Sequence, residues 1–340
     1  IATSSDKKRF LLNADNIFLN ESFQQVKYSY PGSYRGFKLG NLSKNKTRYD
    51  KIRSYPENTD VVVNYFYESK YPSSRGGGAI TDSRNVSVLV QHSLVKMPDD
   101  KYIPRVDDTR VGFFTTQSNH MTTLDQVNYR DFINRWRLEK KDTTAALSEP
   151  VKPITWWIEN TTPHEFRDYI KSGVEKWNLA FEKAGFKNAV VVKIQPDSAD
   201  WDAGDIRYNV LRWTSSPTAP FSGYGPSFVN PRTGEILGAD IMLEYGGMAG
   251  RLWKSGVFKD GEESELSTRE KTAEMLNRCN VGESTAHNTL FTLSAMKIMA
   301  FSDEEHKEFV RQTLHRLCLH EVGHTLGLSH NMHASTMLSP

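Results

Sequence analysis

The sequence predicts an α+β chain in two parts, a mainly antiparallel β domain over residues 1–145 and a mixed α/β domain over residues 146–340. Three observations carry this prediction. Before residue 145, β-branched or aromatic residues alternate with polar ones, and turn-rich segments separate the runs. After it, strand-like runs alternate with segments whose apolar residues recur every three or four positions. Between the two, EKKDTTAALSEPVKP (139–153) is polar and holds two prolines, the composition of a linker. At 340 residues the chain is long enough to bury two cores.

The elements follow in order. DVVVNYFYES (60–69) and NVSVLVQHSLV (85–95) are strands at period two, joined by the turn-rich KYPSSRGGGAITDSR. IPRVDDTRVGFF (103–114) reads as an ordered loop feeding a strand. PITWWIEN (153–160) reads as a buried strand. The next segment carries a helix start: Thr162 as cap, Pro163 at the first helical position, and Glu165 completing a capping box. Phe166, Ile170, Val174, Trp177 and Phe181 form one apolar stripe, and Gly185 ends the helix. AVVVKI (189–194) and DIRYNVLRW (205–213) are further strands. GPSFVNPRTGEILGADIMLEY (225–245) reads as a strand, a turn and another strand. Glycines and charges (246–265), a helical stretch (267–300) and a last helix complete the chain. Ser302 and Glu305 cap that helix, which runs through Leu326.

Composition excludes some function classes. With 43 basic and 41 acidic residues the net charge is +2, which gives no global attraction to nucleic acid or to an anionic membrane. No apolar run approaches the roughly 20 residues of a membrane span. The longest, TLFTLSAMKIMAF (289–301), is broken by Lys297 and reads as a buried helix. No signal peptide is visible, and two cysteines make no disulfide framework.

The chemistry concentrates in HEVGHTLGLSHN (320–331). His320 and His324 are i and i+4, so both imidazoles lie on one helix face and can share a metal ion. Gly327 suits the left-handed turn that stops the helix, after which His330 can return as a third nitrogen ligand. Three protein nitrogens with one open position is the arrangement of catalytic zinc. Glu321, on the flank of that face, is placed to act as general base while water, activated by zinc, attacks a carbonyl. His92, His120, His164, His287, His306, His315 and His333 lack ligand spacing and read as surface or hydrogen-bonded histidines. Cys318 falls on the far side of the helix from His320 and reads as packing behind it.

HEVGHTLGLSHN resembles the active-site motif of the metzincin zinc peptidases. GPSFVNPRTGEILGADIMLE is similar to the edge strand and following strand of that fold, and the order of elements over 153–213 to its opening. The chain is most similar to large metzincin-like proteins common among Bacteroidetes, and RVDDTRVGFF resembles a signature of their N-terminal domain. The resemblance implies an exported, zinc-dependent endopeptidase acting on polypeptide. Peptidases of this type bind an extended substrate at a sheet edge. Pro226 cannot donate a ladder hydrogen bond, so its strand is expected to be that edge, with Gly225, Pro226, Ser227 and Phe228 lining the cleft and Ala239–Leu243 as the inner neighbour. Metzincins also carry a methionine turn after the third histidine. Met337 is a candidate for it. The related bacterial proteins carry theirs later, which implies a chain that lacks its C-terminal subdomain. The N-terminal domain is expected to support the catalytic one, and Asp107 and Asp108 in Arg105–Gly112 are adjacent carboxylates within conceivable reach of a metal. The alternative reading is a latent zinc-binding surface or scaffold protein whose β domain binds a partner or glycan.

Overall fold

Residues 58–68 alternate side chains between two faces, and the strand they form organises everything around it in the first part of the chain. The structure, a computed structural model, describes residues 2–23, 25–26, 39–72, 80, 82–98, 101–215, 223–244 and 302–331. It divides into two units, 1–96 and 97–340.

The first unit holds a short antiparallel pair, β1 (Ala2–Thr3) and β2 (Phe10–Leu11), and a one-turn helix α1 (Asp15–Phe18). Then come β3 (Asn41–Leu42), β4 (Arg48–Ser54), β5 (Asn58–Glu68) and β6 (Asn85–Val95). β5 pairs with β6 along its whole length and with β4 and β3 on its other side, every pair antiparallel. Val61, Val63, Tyr65 and Tyr67 point from β5 into one core with Phe18. The Tyr65 hydroxyl donates to the carbonyl of Phe18 at 2.7 Å and lies 2.8 Å from Nε2 of the buried His92. His92 is thus the hydrogen-bonded histidine its spacing implied.

The second unit opens with the hairpin β7 (Thr115–Asn119) and β8 (Tyr129–Ile133), then β9 (Arg135–Trp136). It continues with β10 (Ile154–Ile158), α2 (His164–Glu175), α3 (Asn178–Lys183), β11 (Val190–Ile194) and β12 (Asn209–Thr214). β13 (Gly223–Tyr224), β14 (Ser227–Val229), β15 (Glu235–Ala239), β16 (Ile241–Glu244) and the long helix α4 (Asp303–Thr325) follow. Five strands form a mixed sheet in the order β11-β10-β12-β16-β13. The first four are parallel and β13 is an antiparallel edge. Burial alternates along two of its strands: Ile154, Trp156 and Ile158 of β10 and Val190 and Val192 of β11 face the helices, while Thr155 and Trp157 are half-buried. Trp156, Ile158, Leu211, Ile241 and Leu243 pack with Ile170 and Val174 of α2 and with Leu314, Cys318 and Val322 of α4. A second sheet has the order β14-β15-β9.

Several expectations change. By compactness the chain divides after Lys96, a break distinct from the change of composition near 145. Residues 97–145 still carry strands, but β9 pairs with β15 and Phe113 bridges Leu328, both in the second unit. Residues 139–153 are no free linker. Lys140 bridges Pro150, Ser148 bridges Phe186, and the Lys141 amide donates to Glu149 at 2.9 Å, so the polarity there serves a hydrogen-bonded turn. Thr162 does not cap α2. Pro163 is extended and itself takes the cap position, one residue later than expected, and the Thr162 hydroxyl is buried without a hydrogen-bond partner. The predicted single helix is also two. At Lys176–Trp177 the amides shift to three-residue bonds, with Trp177 donating to Val174 and Leu179 to Lys176. Gly185, at φ +88°, ends the second piece as expected. The single strand expected at Ala239–Leu243 is broken at Asp240, whose carboxylate leaves the ladder to accept from the Val210 amide at 3.0 Å. The glycine-rich stretch (246–265), the helical stretch (267–300) and Met337 lie outside the described residues.

Candidate metal centre

α4 begins with the capping box its sequence announces, the Ser302 hydroxyl accepting from the Glu305 amide and the Glu305 carboxylate from the Ser302 amide. Its inner face is set by Leu314, Cys318 and Val322, all fully buried against the sheet and α2. The crossing with α2 is close at Gly173, where a Cβ would fall 2.8 Å from the His315 carbonyl oxygen and 3.1 Å from Cys318 Cβ. Trp177 braces the far end, its indole N–H donating to the Leu319 carbonyl at 2.9 Å and its ring filling the space over Gly323. With one face fixed, the i, i+4 geometry turns His320 and His324 the other way. Cys318 sits behind them as expected, and burial pushes its thiol far above the ordinary range, so it is packing and not a nucleophile.

The helix ends at Gly327, at φ +100°. A Cβ there would overlap the Asn134 carbonyl oxygen, so glycine is required twice over. The Leu328 amide donates back to Gly323 at 3.1 Å, and the reversed chain brings His330 over the helix. The ligand atoms of His320, His324 and His330 lie within 4.8 Å of one another. Nε2 of His320 and Nε2 of His330 are 3.2 Å apart. Two nitrogens about 2.0–2.1 Å from one tetrahedral ion would stand roughly 3.3 Å apart, so the spacing fits a shared zinc. Nδ1 of His324 lies 2.8 Å from the Leu328 carbonyl. That oxygen can only accept, so Nδ1 carries the proton and Nε2 keeps its lone pair for a metal. Burial, and then the neighbouring His324, His330 and Arg316, hold His320 down to about 4, which keeps it neutral and able to ligate. Burial and His324 lower His330 in the same direction.

Glu321 is only 3% exposed, and burial pushes its carboxyl up to about 7. Its side chain lies along β13. A Cβ on Gly223 would fall 2.6 Å from Glu321 Oε1, so only glycine lets the edge strand approach the carboxylate. Sequence reasoning missed Gly223. The signal was the Gly-Tyr-Gly pattern, glycines two apart on one strand face, for Gly225 likewise packs within about van der Waals distance of Glu321's carbonyl and Thr325 Cγ2, 3.1 Å from each for an added Cβ. Gly225, Pro226, Ser227 and Phe228 are half-buried. Ser227 and Phe228 lie on β14, at the end of its sheet, and Ser227 Oγ is buried without a hydrogen-bond partner. Asp107 and Asp108 do not join the histidines. Asp108 pairs with Arg110 at 2.6 Å, and the Asp107 amide donates to Asp131. It is Gly112–Phe114, at the end of that segment, that runs beside the histidine loop. Among the described residues no other group of histidine, cysteine or acidic side chains is arranged to hold a metal, and no helix is long and apolar enough to cross a membrane.

Comparison with known families bears on the same residues. Residues 302–340 match the family described as Met-zincin, and residues 1–141 match a domain of unknown function (DUF5117). No curated protein and no solved structure matches the chain. The Met-zincin match spans α4 and the turn that together carry the three histidines, whose spacing is the HExxHxxGxxH of metzincins.

Proposed function

We propose that the chain is a zinc-dependent endopeptidase in which His320, His324 and His330 hold the metal and Glu321 is the general base. The observation that carries this reading is the convergence of three imidazoles beside a buried carboxyl whose pKa burial raises to about 7. Zinc, when bound, supplies the Lewis acid that acidifies water and polarises a peptide carbonyl. Glu321 takes the proton from the attacking water and returns it to the leaving amine, work suited to a group that titrates near the working pH. Its burial excludes bulk water from that exchange. Gly223 leaves room for its carboxylate, and the edge strands Gly223–Tyr224 and Ser227–Val229 offer backbone to an extended polypeptide. We assign Gly225, Pro226, Ser227 and Phe228 to that substrate edge. Glu321→Gln tests the reading. The variant is expected to bind zinc in one-to-one ratio with unchanged affinity while cleavage of an unstructured protein falls by about 10²–10⁴. Full activity in Glu321→Gln would remove the glutamate from the mechanism.

A further inference from the structure

Gly112, Phe113 and Phe114 touch the turn that carries the third histidine. The Ser329 amide donates to the Gly112 carbonyl at 3.1 Å, and the Phe114 amide donates to the Gly327 carbonyl at 2.7 Å. Between these bonds Phe113 bridges Leu328 in antiparallel fashion. The histidine turn is therefore one side of a short two-stranded ribbon whose other side lies more than 200 residues earlier in the chain. Leu328 is also the residue whose carbonyl receives Nδ1–H of His324. The ring of Phe114 lies against that same imidazole, with centroids 5.6 Å apart. At the other end of the ribbon, Gly112 is packed so closely that a Cβ would fall 2.8 Å from Ser329 Oγ and 3.3 Å from the His330 carbonyl oxygen. The ribbon is anchored behind. Asn134 donates from its amide to the Phe114 carbonyl at 2.8 Å, and its own carbonyl fills the space where Gly327 lacks a side chain.

We propose that Gly112–Phe114 are positioning residues for the metal centre, a strand that holds the turn 327–330 so that His330 closes onto His320 and His324 points Nε2 at the ion. The assignment rests on the zinc reading above. It gives the segment following IPRVDD a role that neither the Met-zincin match nor the domain of unknown function states. Isolated turns after a helix are flexible, and three ligands must be held together before an ion arrives. A ribbon of two backbone hydrogen bonds, with an aromatic ring against one ligand, removes that freedom in advance.

The test uses the full chain and two variants. Gly112→Val drives a branched side chain into Ser329 and His330, and Phe114→Ala removes the ring from His324. Phe114 is 45% exposed, so its truncation leaves the fold intact even where Gly112→Val does not. Zinc affinity is read by chelator competition, cobalt coordination by its visible spectrum, and integrity by the melting temperature of the metal-free protein. Gly112→Val is expected to weaken zinc by about tenfold or more and Phe114→Ala severalfold, both with an altered cobalt spectrum, while Gln117→Ala on the same hairpin changes neither. Wild-type affinity and an unchanged cobalt spectrum in Phe114→Ala and in a folded Gly112→Val overturn the positioning role alone. A wild-type chain that takes up neither metal overturns the metal centre and the role together.

Discussion

Glu321 is a carboxyl in a place where ionisation is expensive, and this has a consequence separable from catalysis. Burial raises its pKa from 4.5 to about 7 in the metal-free protein. A carboxyl with a raised folded-state pKa binds its proton more tightly when folded. Folding is therefore favoured below the unfolded value and loses that advantage as pH climbs from 4.5 through about 7. The loss is on the order of 3 kcal/mol. Glu321→Gln keeps the shape and removes the charge. In metal-free protein it is expected to melt higher than wild type at pH 8 and level with it near pH 4. Parallel pH profiles for the two would show that the carboxyl is not desolvated. At this scale the sequence is informative about ligands and silent about environment. His320, His324 and His330 are legible because a helix converts spacing into direction, and Gly327 because a reversal there needs a left-handed residue. The burial of Glu321 is not legible, since it depends on β13 lying across it. Gly223 escaped notice for the same reason: the carboxylate it accommodates lies almost a hundred positions away.

Helix α4 is a long element whose two ends are handled differently. Its start is local. Ser302 and Glu305 satisfy each other's backbone, and the capping box could be read directly from four residues. Its end is not. The Thr325 carbonyl, one of the orphan acceptors of a helix terminus, is met by the indole N–H of Trp136 at 2.8 Å, 189 positions away in sequence. Gly327 stops the helix against Asn134. Gly327→Ala therefore meets two penalties, a positive φ that alanine resists and an overlap with a backbone oxygen that cannot move aside. The combined cost is expected on the order of 3 kcal/mol, seen as a fall of several degrees in melting temperature. Zinc binding should fall with it, because His330 follows the glycine by three residues. An alanine variant with wild-type melting and zinc affinity would mean that the turn is free to reshape. The start of α2 gives the reverse lesson. Thr162, Pro163 and Glu165 have the spacing of a capping box, but Pro163 is extended and takes the cap position itself. Local pattern failed there because Pro163 has a ψ of 136°, a torsion its ring leaves free, so the helix begins one residue later than the pattern implies.

On the scale of the whole chain, the division of labour is set by non-local pairing. The strand-rich character of residues 1–145 was legible, as was the change to a mixed sheet afterwards. The place where one unit ends was not, because composition does not change at residue 96. What changes is the partner. β5 and β6 pair within the first unit, whereas Phe113, Arg135 and Trp136 find theirs on Leu328, Glu235 and Ile236. The match to the domain of unknown function runs through residue 141 and so spans both units. Two deletions separate these descriptions. A chain lacking residues 1–96 keeps Gly112–Phe114, the hairpin β7–β8 and the Trp136 bond to α4. It is expected to fold, to bind zinc with affinity close to that of the whole chain, and to retain peptidase activity. A chain lacking residues 1–145 loses β9, the Asn134 carbonyl packed against Gly327, and the ribbon beside the histidine turn. It is expected to bind zinc at least about tenfold more weakly, because ligand residues alone do not hold a ligand geometry. Equal zinc affinity in the two would place everything the metal needs after residue 145. Loss in both would make residues 1–96 as necessary to the centre as the hairpin is.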